Sequence, residues 1–168
     1  MLSYLLRTLP VLVRARVGMD GSLVSNITRR VRLSEIDTNR HMNQAVYAQV
    51  FELGRVDWFV RSGAWHRFTS QGVYPVVAEQ RLVYRRELAP FAKYSIDSRA
   101  VGVTGRLLEL QSLLIVGDRV HTQCDVKLIF IGKEGVLSPD AVEALCAGLC
   151  TDPLVVQDWR VEGHRPRS

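Results

Sequence analysis

The chain has 168 residues, a length that fits one domain with a sizeable core, and 47% of them are hydrophobic against 23% charged, with 12 Gly and 6 Pro. That balance excludes disorder, collagen-like sequence and low complexity. The formal net charge of +5 suits an anionic partner, whether nucleic acid, a membrane surface or a phosphate-bearing ligand, and by itself does not choose among them.

Residues 1–22 form an amphipathic N-terminal segment. Leu2, Leu5, Leu6, Leu9, Leu12 and Val13 recur at helical spacing, while Arg7, Arg14 and Arg16 point elsewhere. The uncharged stretch Thr8 to Val13 falls far short of the ~20 apolar residues that span a bilayer, and Arg7 splits any signal-peptide core. A transmembrane helix is therefore excluded. A helix packed on its own domain or on a dimer mate is the preferred reading over attachment to a membrane surface, and Pro10 would kink it either way.

Residues 23–152 read as one domain. After a turn at Gly18 to Ser22, Ile27, Arg29, Val31 and Leu33 alternate with Thr28, Arg30 and Arg32, the period of a half-buried strand. From about Asn43 to Ser62 the period turns helical. Val46, Val50, Leu53 and Asp57 lie beside Tyr47, Phe51, Gly54 and Trp58 in a broad stripe, with Asn43 as N-cap and Gly63 as terminator. Strand-like runs follow at roughly 76–87, 93–101, 106–116 and 119–131, with turn residues in each break and a tight hairpin at Gly117-Asp118. Ser138-Pro139 opens a short helix through about Leu149, and residues 153–168 form a polar tail. The order is strand, long apolar helix, four antiparallel strands and short helix. This predicts an α+β domain in which a five-stranded antiparallel sheet wraps a long central helix, the hotdog architecture.

The three cysteines, Cys124, Cys146 and Cys150, form neither a zinc pattern nor an even disulfide framework, which fits a reducing, cytoplasmic setting. Cys146 and Cys150 share a helical face and are read as packing residues.

Between the first strand and the central helix runs Ser34-Glu35-Ile36-Asp37-Thr38-Asn39-Arg40-His41-Met42-Asn43-Gln44-Ala45-Val46-Tyr47. Polar residues crowded beside an apolar helix need partners, so one account has them cap the helix and stitch the loop to it. The other is chemical. Attack on a carbonyl needs a carboxylate or activated water near the carbon and positive charge where the oxyanion develops. The amides around Gln44 and Ala45 at the helix N-terminus would supply the second requirement opposite Asp37.

The run Asp37-x-Asn39-x-His41-x-Asn43-x-x-x-Tyr47 resembles the D-x-N-x-H-x-N-N-x-x-Y signature of hotdog thioesterases, among them plant acyl-carrier-protein thioesterases and eukaryotic thioesterase-superfamily-member proteins. Tyr84-Arg85-Arg86-Glu87 is similar to the Y-R-R-E stretch on the second strand of the plant enzymes. The likeness covers about Ile27 to Phe130, departing at Gln44, where the signature has a second Asn, and at Leu88, where the plant enzymes have Cys. Aligned on Tyr47, Asp37 also matches the catalytic aspartate of 4-hydroxybenzoyl-CoA thioesterase-like enzymes, which lack the Asn and His. The resemblance implies Asp37 as nucleophile or general base, Asn39 and His41 orienting it or the attacking water, and Glu87 assisting. Asn43, Gln44 and Tyr47 are the candidate oxyanion and substrate-binding residues.

The expected activity is hydrolysis of acyl-CoA or acyl-carrier-protein thioesters without cofactor or metal. The alternatives are a hotdog hydratase or dehydratase, which resembles an arrangement with four residues between Asp and His where this chain has three, and a non-catalytic acyl-thioester binder. The chain carries no G-x-S-x-G elbow, H-E-x-x-H metal motif, phosphate-binding glycine loop or dinucleotide fingerprint. Nucleic acid is not expected, because Arg29, Arg30, Arg32, Arg85 and Arg86 lie on strands without interleaved exposed aromatics; a cluster of them would suit coenzyme A phosphates or an acidic carrier protein. His66, His121 and His164 read as surface or edge residues. An exposed sheet edge predicts a homodimer or a dimer of dimers. Phe51, Trp58, Phe59 and Trp65 are candidates for an acyl-chain cavity or for plain core.

Overall fold

In the computed structural model of the chain, which describes residues 2–17 and 20–154, the apolar stripe forms an 18-residue helix, α2 (Gln44–Arg61). Asn43 caps it, accepting the Ala45 amide at 2.9 Å, and Gly63, at φ 74, takes the left-handed conformation just past its end, where a β-carbon would be strained. Five strands make one antiparallel sheet in the order β1-β3-β4-β5-β2: β1 (Ser25–Arg30), β2 (Tyr74–Tyr84), β3 (Lys93–Thr104), β4 (Leu107–Val116) and β5 (Arg119–Gly132). A two-residue β6 (Gly135–Val136) adds to β5. The sheet curls around α2, the hotdog arrangement expected from the order of elements. Gly117-Asp118 joins β4 to β5 as a two-residue loop with Gly117 at φ 61, the twist a tight hairpin needs.

Alternation along the strands sends one set of side chains toward α2. Tyr94, Ile96, Ser98 and Ala100 on β3, Leu108, Leu110 and Leu114 on β4, and Cys124, Val126, Leu128 and Phe130 on β5 are buried. They meet Tyr47, Val50, Phe51, Leu53 and Trp58 of α2 in one core. The helix comes closest at Gly54, where an added β-carbon would sit 2.5 Å from Ser98 Oγ and 2.9 Å from Ile96 Cγ2. Beneath it the Ser98 and Ser112 hydroxyls satisfy each other at 2.8 Å. Asp57 is fully buried on the same helix. Its Oδ2 accepts Ser25 Oγ at 2.7 Å and Arg61 Nε at 3.2 Å, tying α2 to β1, and Trp58 Nε1 donates to the Leu23 carbonyl at 2.9 Å.

The structure departs from the sequence reading in several places. The first strand stops at Arg30, because the Glu35 carboxylate takes the Arg32 amide at 2.9 Å and winds Leu33–Glu35 into a 3-10 turn. The run expected at 76–87 pairs from Tyr74 and ends at Tyr84; Pro75 is tolerated because β2 is an edge, and residues 85–87 leave the strand. Residues 64–70 form a short helix unforeseen in the sequence, α3 (Ala64–Ser70), anchored by buried Ala64 and Phe68. The last helix, α4 (Pro139–Cys146), has the expected Ser138 cap but stops short of Leu149, with Gly148 at φ 74. Cys150 is therefore not on a helical face with Cys146; it bridges to Ala100 on β3 instead.

The N-terminal segment forms α1 (Leu2–Val17), packed across α2. The tail 153–168 and His164 lie almost wholly outside the described residues.

The close approach at Gly54 gives a direct prediction. Gly54→Ala would gain about 1 kcal/mol of helix propensity, but the contact falls on a hydrogen-bonded serine and a β-branched side chain held in the sheet. Overpacking should win, for a net loss of about 1–2 kcal/mol in chemical denaturation.

Candidate active site

Asp37 sits in a tight turn that its own backbone builds. The Asp37 amide donates to the His41 carbonyl at 2.9 Å, the Arg40 amide donates to the Asp37 carbonyl at 3.1 Å, and Arg40 takes the left-handed conformation at φ 62. Within this turn Asp37 Oδ1 accepts the Asn39 amide at 2.9 Å and the His41 amide at 3.3 Å. The carboxylate is thereby fixed through one oxygen. The loop is clamped by the Asn43 amide to the Glu35 carbonyl at 2.8 Å and by the Met42 amide to the Leu88 carbonyl at 2.9 Å. That second bond joins the Asp37 turn to the segment following β2.

The two segments enclose a cleft of about 920 Å³ at the N-terminal end of α2, lined by Asp37, His41, Gln44, Tyr47, Glu87 and His121, with Tyr84, Arg85 and Arg86 on its wall. His41 Nε2 lies 3.5 Å from Glu87 Oε1. The Tyr47 and Tyr84 rings meet edge to face at 5.2 Å. Burial pushes the Tyr47 hydroxyl above its ordinary pKa; the Leu88 backbone offsets part of this, while Tyr84, Glu87 and Asp37 add to it. Both cleft tyrosines thus stay protonated at neutral pH, since burial raises Tyr84 as well, against a Gln44 side-chain contact. Burial pushes the Cys124 and Cys146 thiols up to about 12, and none of the cleft-lining residues is a cysteine.

Of the residues singled out in the sequence, Asp37, His41, Gln44, Tyr47 and Glu87 come together here. Asn39 and Asn43 do not line the cleft. Asn39 is exposed and reaches Asp37 through its backbone amide, and Asn43 is engaged in the helix cap. That cap corrects one expectation: the Ala45 amide is already bonded to Asn43 Oδ1 and the Val46 amide to the Asn43 carbonyl at 2.9 Å, so of the two amides expected to serve an oxyanion only that of Gln44 remains. Arg85 and Arg86 are not strand residues but cleft-lining ones.

His121, read from sequence as a surface or edge residue, is a cleft residue on β5, a strand enclosed between β4 and β2. Its Nδ1 lies 3.2 Å from the Glu87 carbonyl, and its own carbonyl accepts the Arg85 and Arg86 amides at 2.9 and 3.1 Å. Burial lowers its pKa; the Glu87 carbonyl opposes that shift, and Arg86 and Arg119 reinforce it, so the ring favours the neutral form. The signal that finds it is strand register, because Tyr84 pairs with Thr122 and sets His121 beside Arg85.

A second cavity, about 420 Å³ and mostly apolar, opens farther along α2. Val56, Phe59 and Val60 of α2, Trp65 of α3, and Pro75 and Val77 of β2 are among its walls. The four aromatics considered for an acyl cavity therefore divide: Phe59 and Trp65 line this pocket, while Phe51 and Trp58 are core.

Solved structures share this fold. The probable thioesterase YbaW from Escherichia coli superposes with a TM-score of 0.69 at 18% identity, over 76% of this chain and 99% of that one. The 12:0-ACP thioesterase from Umbellularia californica gives 0.72 at 12% identity, over 88% of this chain and 58% of that one. A mutant 4-hydroxybenzoyl CoA thioesterase complexed with 4-hydroxybenzoyl CoA gives 0.63 at 8% identity, over 75% and 100%. No curated protein matches the chain. The family profile of the thioesterase-like superfamily matches residues 31–149, a span that runs from the end of β1 through the Asp37 turn, α2 and the sheet to the end of α4, and the chain belongs to that superfamily.

Proposed function

We propose that the chain hydrolyses acyl-CoA or acyl-carrier-protein thioesters, with Asp37 as the catalytic carboxylate. The observation that carries this reading is a carboxylate held by two backbone amides, in the same cleft as His41 and Glu87, at the positive end of α2. As general base, Asp37 takes a proton from water, the water oxygen bonds to the thioester carbon, and the Gln44 amide with the helix dipole stabilises the oxyanion. Collapse of that intermediate breaks the carbon–sulfur bond, the proton held by Asp37 passes to the departing sulfur, and the thiol and the free acid leave. Attack by Asp37 itself, through an acyl anhydride, is the alternative route to the same products. His41, opposite Glu87, is suited to hold the water. His121 favours the neutral state and braces the main chain at Glu87.

The substrate class follows from the surroundings. Arg85 and Arg86 on the cleft wall give an anionic carrier, coenzyme A or a carrier protein, charged groups to meet. An acyl chain entering past Tyr47 and running along α2 reaches Phe59 about 18 Å away, at 1.5 Å of rise per residue, and ends in the apolar pocket beside Trp65. Exposed Tyr74, Val76 and Val77 on the free edge of β2 suit a homodimer.

Thiol release from acyl-CoA and acyl-carrier-protein substrates of graded chain length is the decisive assay. Asp37→Asn should lower kcat by about 10²–10⁴-fold, the range typical of a general base, whereas Asn39→Ala should have a much smaller effect because its contribution is a backbone amide. Full activity in Asp37→Asn would remove the proposal, and conversion of an enoyl thioester without thiol release would replace hydrolysis with hydration. A second measurement addresses chain length. Val56→Phe narrows the apolar pocket and should cut kcat/KM for long acyl chains by about tenfold or more, in line with pocket discrimination of ~1–3 kcal/mol, while sparing short ones.

A further inference from the structure

Among the described side chains of α1, residues 8–17, the apolar Leu9, Val13 and Val17 are not spent on packing. The helix docks on α2 through Thr8 and Ala15, both buried, and half-buried Val11, which share one side at helical spacing. The opposite side carries Leu9 at 56% exposure, Pro10, Val13 at 56% and Val17 at 86%. A helix held only by its own domain turns its larger apolar residues inward and its charges outward; here the outermost ridge is apolar. Exposed Arg14 and Arg16 flank this ridge on its two sides, and the Arg14 guanidinium donates to the Asn26 carbonyl at 3.0 Å while keeping its charge.

Charge is distributed in the same sense. Residues 1–19 contain Arg7, Arg14 and Arg16 and no Asp or Glu, so three of the chain's five excess positive charges come from this segment. Among the described residues no helix is long and apolar enough to cross a membrane, which leaves α1 suited to lying along a surface. We propose that the outer face of α1 docks on an anionic lipid bilayer, with Leu9, Pro10, Val13 and Val17 entering the acyl boundary and Arg14 and Arg16 meeting the headgroups. A second copy of the chain fits this face less well. Two such ridges packed together would bring their flanking arginines into proximity with no acidic residue on either helix to pair them.

The test uses the full chain in flotation with phosphatidylcholine vesicles prepared with and without about 30% phosphatidylglycerol, across a salt series. Wild type should float with the anionic vesicles, remain soluble with the neutral ones, and lose binding as salt rises. The double variants Leu9→Ser/Val13→Ser and Arg14→Gln/Arg16→Gln should each weaken binding by about tenfold or more. Thermal melts and sedimentation of the same variants report fold and oligomeric state. Failure of wild type to bind anionic vesicles overturns the proposal, as does undiminished binding in the leucine–valine variant. So does loss of a solution oligomer in that variant without any vesicle binding, which assigns the ridge to a second copy. The readout is partitioning rather than thiol release, so its outcome is independent of the hydrolytic assay.

Discussion

The architecture turns on how deeply α2 sits in the sheet. Gly54 allows the helix backbone to approach β3 where any side chain would collide with Ser98 and Ile96, and the serine pair beneath keeps the floor low without leaving a hydroxyl unsatisfied. The helix is held along its length by Asp57 to Ser25 and Trp58 to Leu23 toward one end, and by the Tyr47–Tyr84 contact toward the other. With α2 fixed in depth and rotation, its N-terminus has one position, and the Asp37 turn is fastened to it by short backbone bonds. Raising the helix would move the dipole end, the cap and the cleft wall together.

The structural and chemical accounts of the Asp37 loop do not compete. The hydrogen bonds that make Asp37 a turn-stabilising residue also orient its carboxylate, because they occupy Oδ1 and restrict the rotation of the group. Asn39 and His41 are spaced for this purpose: their amides lie two and four residues beyond Asp37, where the turn brings them back to its side chain. Only His41 adds a side chain to the cleft. The left-handed Arg40 is the local conformational cost of closing the turn.

Two apolar surfaces among the described residues have different physics. The pocket between α2 and β2 is concave and mostly apolar, lying farther along the same helix as the cleft. The α1 ridge is convex and carries cations on both flanks, with Thr8, Val11 and Ala15 on the packed side, which suits the broad anionic surface proposed for it. Their proximity on α1 and α2, where Leu12 of α1 is part of the pocket wall, sets both on the same side of the domain.

The sequence by itself determined the element order, the cap at Asn43, the terminator at Gly63, the Gly117-Asp118 hairpin and the Asp37–Tyr47 segment, because periodicity, capping and turn chemistry are local in the chain. Residues 64–70 escaped it because a seven-residue helix held by Ala64 and Phe68 carries too few turns to show a period. Tertiary structure alone decided what meets across the fold. Glu87 reaches His41 through the Met42–Leu88 backbone bond, and His121 enters the cleft through the pairing of β2 with β5, relations between residues more than thirty apart that no local pattern encodes. It also decided which side of α1 faces out. A stripe of leucines and valines reads the same whether it is buried or displayed, and only the partner beneath, here met by Thr8, Val11 and Ala15, fixes the rotation of the helix.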